Sequence, residues 1–401
     1  MGPGALLLAA GLAAGEATYW FGTSEARTHV SFEAKTDVAA ILGTTHRIEG
    51  SATIDGEAGT GKCRLRVPVG SLKTGVEGRD RVMLSEPWLD GARFPAIEFE
   101  GERGARAKGS TTWNVEGRLT LRGVSRDLAV AADVREIPEE LAKKANLGAG
   151  RWVRARAEFR VPLSDFGIRI PERSIATVED VWTVRVDLFG TTERPSAETA
   201  SAPAEPGVEA GPVEAKAIAL EGSAGTRYRF GVKPQFTSLE AGCETESGTF
   251  ALSTSALSGA GVFDLGKGNG RLVLSVPTTS LRTGIAERDE ELRRAGWFDA
   301  PAHPAIGFES TKVGRKEGTT WTVEGTLTIR GESRPISAAF DVREIPADRM
   351  KAAAWGNKGG LGLRGEFPLR LSDFGIPVPP ALASRIRDEM RVRVDLVALK
   401  E

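Results

Sequence analysis

"TTWNVEGRLTLRG", Thr111 to Gly123, returns almost letter for letter as "TTWTVEGTLTIRG", Thr319 to Gly331. In both, apolar or small residues hold every second position: Trp113, Val115, Gly117, Leu119 and Leu121, then Trp321, Val323, Gly325, Leu327 and Ile329. A period of two with polar residues between is the pattern of a β-strand with one buried face. The same alternation runs through Val153, Ala155, Ala157, Phe159, Val161 and Leu163, with Arg154, Arg156, Glu158 and Arg160 on the opposite face. It recurs at Trp182, Val184, Val186 and Leu188. Further strands are expected near Leu65 to Val69, Ile97 to Gly101 and Leu128 to Val134, with one or two between Tyr19 and Asp55. The total comes to about eight per copy.

The repetition is not local. The halves match at constant spacing from Tyr19/Tyr228 through Asp55/Asp264 and Trp88/Trp297 to Phe99/Phe308; one residue is then lost, and the match resumes through "DVREIP", "LSDFGI" and "VRVDL". The chain is therefore a tandem duplication whose period is far too long for a stacked solenoid. Residues 1–17 read as a signal peptide, 18–190 and 218–401 as the two domains, and 191–217 as a linker rich in Pro, Ala and Glu. That linker has no aromatic residue to bury, so a flexible connection between separate domains is expected. The leader reading rests on the apolar run Ala5 to Ala14 followed by small residues; it lacks a basic start, since no Lys or Arg precedes Arg27.

Composition narrows the classes. The formal net charge is -1 with 27% charged residues, so no bulk field draws the protein to nucleic acid or an anionic membrane. The 48 Gly and 21 Pro fit many short strands and turns, and no later segment is long and apolar enough to span a bilayer. An antiparallel sheet with a single apolar face buries it most simply by closing into a barrel. The expected fold is all-β, two tandem barrels. Gly117, Ala132, Ala155, Ala157, Gly325, Ala338 and Gly365 on inward positions leave space for a ligand, while Trp113 and Phe159 are large enough to fill it. The residues alone leave that choice open.

"SLKTGVEGRD" (Ser71 to Asp80), "WLDGARFPAIEFE" (Trp88 to Glu100) and "WNVEGRLTLRGVSRDLAV" (Trp113 to Val130) together resemble the YceI-like family of lipid-binding, lipocalin-like barrels. The second copy repeats them as "SLRTGIAERD", "WFDAPAHPAIGFES" and "WTVEGTLTIRGESRPISA". The resemblance implies periplasmic or secreted antiparallel barrels holding long polyisoprenoid chains in an apolar lumen. Lumen candidates are Phe32, Val67, Phe99, Trp113, Val115, Ala155, Ala157 and Phe159 in the first copy, and Phe308, Trp321, Val323, Phe340 and Phe367 in the second. At the start of each domain the family carries two histidines; His29 and His46 match them, whereas the second copy has Ser238 and Ser255. His29 and His46, with Arg79 and Arg288, are the head-group candidates.

Arg79/Asp80 and Arg288/Asp289 have a structural reading too, as surface ion pairs with the aspartate capping a short helix. "GKGNG" at Gly266 to Gly270 lies between strand-like segments and reads as a hairpin turn, not a phosphate loop. Only three histidines are present, there is no GxSxG elbow, and His and Cys lack metal-ligand spacing. No catalytic residue, cofactor or metal is expected. Cys63, in step with Leu65 and Val67, reads as a buried thiol, and Cys63 and Cys243 occupy unmatched positions, which excludes a duplicated disulfide. The expected function is non-enzymatic binding, storage or transport of an apolar lipid; the rival is an envelope scaffold whose barrels are filled by side chains.

Overall fold

The computed structural model describes residues 12, 15–23, 27–36, 40–170, 178–194, 225–232, 236–245, 248–352, 358–383 and 385–401. Most of the leader and residues 195–217 of the linker lie outside the described residues.

The first copy contains β1 (Glu16–Phe21), β2 (His29–Lys35), β3 (Ala40–Thr45), β4 (Glu49–Asp55), β5 (Thr60–Pro68), β6 (Ala96–Arg106), β7 (Thr112–Leu121), β8 (Val124–Ile137), β9 (Trp152–Pro162) and β10 (Val181–Thr191). All pairings are antiparallel, in the order β1-β4-β5-β6-β7-β8-β9-β10-β2-β3, and β1 closes on β10. The segments make eight staves. One edge of β10 pairs with β1 at Gly190 and Thr191 and with β2 from Thr183 to Asp187, so β1 and β2 are halves of one broken stave. β3 and β4 form the second broken stave, paired with β2 and β1 respectively. The break after β1 falls at Gly22, where φ is +89° and a Cβ would stand 2.5 Å from the Ile48 carbonyl oxygen, so only glycine fits.

The second copy repeats this with β11 (Thr226–Phe230), β12 (Ser238–Thr245), β13 (Gly248–Thr254), β14 (Ser258–Asp264), β15 (Asn269–Pro277), β16 (Ala305–Glu317), β17 (Thr320–Ile329), β18 (Glu332–Ile345), β19 (Gly360–Arg370) and β20 (Glu389–Lys400). Its strand order is the same, with β11 closing on β20.

The "SLKTGVEGRD" segment crosses one end of the first barrel. A 3-10 turn at Val69–Ser71 leads through a bridge between Lys73 and Thr44 into α1 (Glu77–Met83). The expected helix cap and surface ion pair are corrected here: the N-cap position is Val76, and Asp80 lies inside the helix, buried. Its carboxylate reaches back to accept from the Thr74 N–H at 2.7 Å and from the Thr74 hydroxyl, while Arg79 donates to the Thr74 carbonyl at 2.9 Å. A backbone with no regular partner is thus held by one carboxylate, the reason an aspartate is needed there. In the second copy Asp289, within α3 (Ala286–Arg293), accepts from Thr283 N at 2.6 Å and Oγ1 at 2.7 Å. Short helices α2 (Glu139–Lys144) and α4 (Ala347–Ala352) follow β8 and β18.

The barrels touch directly, which corrects the picture of domains separate on a tether. The outer faces of β2 and β10 oppose β12 and β20, and the contacts come in mirrored pairs. Thr249 donates to Asp187 at 2.7 Å, and the Ala40 N–H faces Asp395 at 3.3 Å. His46 Nε2 lies 2.7 Å from the Thr283 carbonyl, and Ser255 donates to the Gly75 carbonyl at 3.0 Å. Thr249 is the counterpart of Ala40, Asp395 of Asp187, and Ser255 of His46. Such reciprocity is the mark of a two-fold, self-complementary interface, here between two halves of one chain.

Candidate functional site

The first barrel encloses a cavity of about 250 Å³. Alternation builds it: the inward residues of β5 (Cys63, Leu65, Val67), β7 (Trp113, Val115, Leu119, Leu121), β9 (Val153, Ala155, Ala157, Phe159, Val161) and β10 (Trp182, Val184, Val186, Leu188) all face it. The two charged residues at its wall, Lys62 and Arg156, occupy outward positions on their strands, and Arg156 pairs outside the barrel with Asp133 at 3.1 Å. Space persists because inward positions facing one another are small: Ala132 and Ala157 are directly paired across β8 and β9, with Ala155 next along. Accordingly the buried apolar side chains separate into a group around Tyr19, Ile54 and Trp113 and another around Phe32, Leu119 and Trp182.

Both ends are covered by aromatic groups. At one, the Arg106 guanidinium lies 5.3 Å from the Trp113 ring. At the other, Leu72 and Leu89 from the connecting segment reach the cavity, and Trp182 stacks on Phe32 at 5.1 Å with Trp88 6.3 Å away. Burial pushes the Cys63 thiol pKa up, so this cysteine behaves as a small apolar wall residue.

All eight first-copy lumen candidates, Phe32, Val67, Phe99, Trp113, Val115, Ala155, Ala157 and Phe159, line this cavity. The second-copy candidates have another setting: Trp321, Val323 and Phe340 belong to one continuous core, against which Phe308 and Phe367 pack half-buried. Reading by alternation overlooked Leu72, Leu89 and Trp182 as lumen residues. Trp182 carried the period-two signal, but Leu72 and Leu89 sit in irregular backbone where no periodicity exists.

None of the four head-group candidates lines the cavity. His29 and His46 project from the outer wall into the contact between barrels, their ring centroids 5.4 Å apart. His46 Nδ1 is 2.5 Å from the Thr28 carbonyl and its Nε2 faces Thr283 of the second barrel. Burial, with repulsion from His46, lowers the His29 pKa to about 4. Arg79 is tied to the connector, its pKa lowered to about 10 by burial, and Arg288 lies 5.7 Å from the Phe250 ring. Arg154 forms a buried bidentate pair with Asp187, at 2.7 and 2.6 Å, and donates to the Thr245 carbonyl of the second barrel at 2.5 Å. His46 and Arg154 thus bond across the contact between the barrels, with His29 packed beside His46, whereas Arg79 holds its own connector.

Among the described residues no helix is long and apolar enough to cross a membrane, and no group of three or more His, Cys, Asp or Glu is placed to hold a metal.

A family model described as "YceI-like domain" matches residues 22–189 and again 226–398. A UPF0312 protein of Vibrio cholerae is 36% identical over 107 residues, 27% of this chain and 53% of that protein. Protein YceI of Escherichia coli is 31% identical over 112 residues, 28% of this chain and 55% of its own length. The alignments thus span about half of these relatives. Among solved structures, Burkholderia cenocepacia BcnA is 20% identical with a TM-score of 0.36, over 40% of this chain and 95% of that one. A polyisoprenoid binding domain from Saccharophagus degradans is 14% identical with a TM-score of 0.33, over 44% and 99%.

Proposed function

Since the chain belongs to the YceI-like domain family in both halves, we propose that it binds an apolar lipid without catalysis, a polyisoprenoid being the class that fits best. The observation that carries this reading is the first barrel's lumen, an apolar space of about 250 Å³ with no charged side chain turned into it. That volume lies just under the roughly 300–1,000 Å³ of sites for compact ligands, which suits one slender hydrocarbon chain better than a bulky ring system. Each methylene-sized unit moved from water into such a space contributes about 0.8 kcal/mol, so a chain of repeated apolar units needs no specific polar anchor to be held. We place storage or carriage of the lipid in the periplasm or outside the cell, a reading supported by the apolar run Ala5 to Ala14. The scaffold reading draws its support from the continuous core of the second barrel.

Organic extracts of the purified protein, analysed by mass spectrometry, should contain a prenyl lipid, and Ala157→Trp should lose it while keeping a cooperative thermal transition. Lipid-free extracts together with failure to bind added prenyl alcohols would sink the proposal. A wild-type level of lipid in Ala157→Trp would place the ligand outside the lumen.

A further inference from the structure

The two copies share a fold but differ at the middle of the barrel. Where the first has Ala132 paired with Ala157, the second has Phe340 paired with Gly365. The Phe340 ring lies directly over that glycine: a Cβ at Gly365 would stand 2.6 Å from it. Ala155 is replaced by Leu363, Cys63 by Leu272 and Ile54 by Phe263. Phe263 covers Gly261 and Gly270 and meets Trp321 edge-on at 6.1 Å and Tyr228 at 5.9 Å. Leu272, Leu361 and Leu363 are each at most 2% exposed, whereas Cys63 and Ala155 remain half-buried at their cavity. The trend reverses at the other end, where Phe32 and Trp182 correspond to Ala241 and Met390. Half-buried Ala241, Phe308 and Phe367, the counterparts of Phe32, Phe99 and Phe159, lie there. The second interior is stopped at mid-height and not lined throughout by bulkier residues.

We infer that binding of a long hydrocarbon chain is confined to the first barrel, because Phe340 and Leu363, backed by Phe263, stop a chain from threading the second. The glycine under Phe340 is part of the device: the ring needs the space a Cβ would take, so the pair Phe340/Gly365 is one packing solution and Ala132/Ala157 the other. The second barrel then acts as the docked half of the two-fold contact, a role that needs its outer face and not its lumen. The inference rests on the lipid-binding reading above and adds a stoichiometry and its determinants.

The test exchanges these packing solutions and counts geranylgeraniol bound per chain by native mass spectrometry. The wild type should hold one, Ala132→Phe/Ala157→Gly none, and Phe340→Ala/Leu363→Ala two. Two probe molecules in the wild type, or one retained in Ala132→Phe/Ala157→Gly, would overturn the inference. No probe on the wild type would instead remove the lipid-binding reading beneath it. Should the double variant of the first barrel fail to fold, Ala155→Leu, which installs the second copy's residue, carries the same expectation of lost binding.

Discussion

His29 shows how a residue's role is set by its surroundings. It is 8% exposed, and burial first, then the neighbouring His46, hold its pKa at about 4 against 6.5 in the unfolded chain. Between those values the unfolded state takes up a proton that the native state refuses, so stability falls as pH falls through that window, by about 3 kcal/mol for a shift of this size. Glu240 and Asp395 act in the opposite sense. Burial raises both their pKa values, so the native state holds their protons at a pH where the unfolded chain has released them, and acid favours folding through them. Urea denaturation of the wild type and His29→Gln across the window isolates the histidine: the variant should lose less stability on acidification. Equal losses would show that His29 is protonated without penalty. The sequence marked His29 as notable from the motif it sits in, but not its surroundings, because the ring packs against His46, which itself faces Thr283 on a segment more than two hundred residues away. The same holds for Asp80. Its position ahead of apolar Val82 and Met83 reads as a helix cap, and only the path of the chain shows it bonding backward to Thr74.

At the scale of elements, alternation located the long strands well. Its count of about eight strands per copy matches the eight staves, but it gave no sign that the first two are broken, into β1 and β2 and into β3 and β4, because their continuity exists only through shared partners. The six-residue helix α2, "EELAKK", carries too few apolar residues for a periodic signal. A clue lay elsewhere: Trp152 and Phe189 are large apolar residues on outward strand positions, and with Ile137 and Leu147 they form a small core beneath α2. Between β9 and β10, the Arg154–Asp187 pair joins sheet to interface, with side chains 10% and 7% exposed. Arg154→Ala leaves a buried carboxylate without its cation and should cost about 3–5 kcal/mol in denaturant unfolding, whereas Arg154→Met/Asp187→Leu should recover most of that loss. A cost below about 1 kcal/mol for the single variant would mean the pair is solvated and does not hold the domains.

For the whole molecule, the mirrored contacts make a pseudo-symmetric pair from one chain, and the tether need only keep the halves at high effective concentration. Replacing Asp395 by alanine removes the acceptor facing the Ala40 N–H across the interface. Hydrogen exchange at Ala40 should then accelerate by several-fold while amides inside β7 stay protected; unchanged exchange at Ala40 would show that the barrels do not dock there. Duplication, all-β class, barrel closure and the inward or outward direction of most strand residues follow from the sequence alone, because they rest on periodicity and repetition, which are properties of residues close along the chain. What only the tertiary structure decided is which interior is open and which outer faces meet. Both depend on residues that meet only across strands, as Phe340 is set over Gly365 of the next strand and Asp187 against Thr249 of the other barrel, and no local pattern records whether such residues leave a space or fill it.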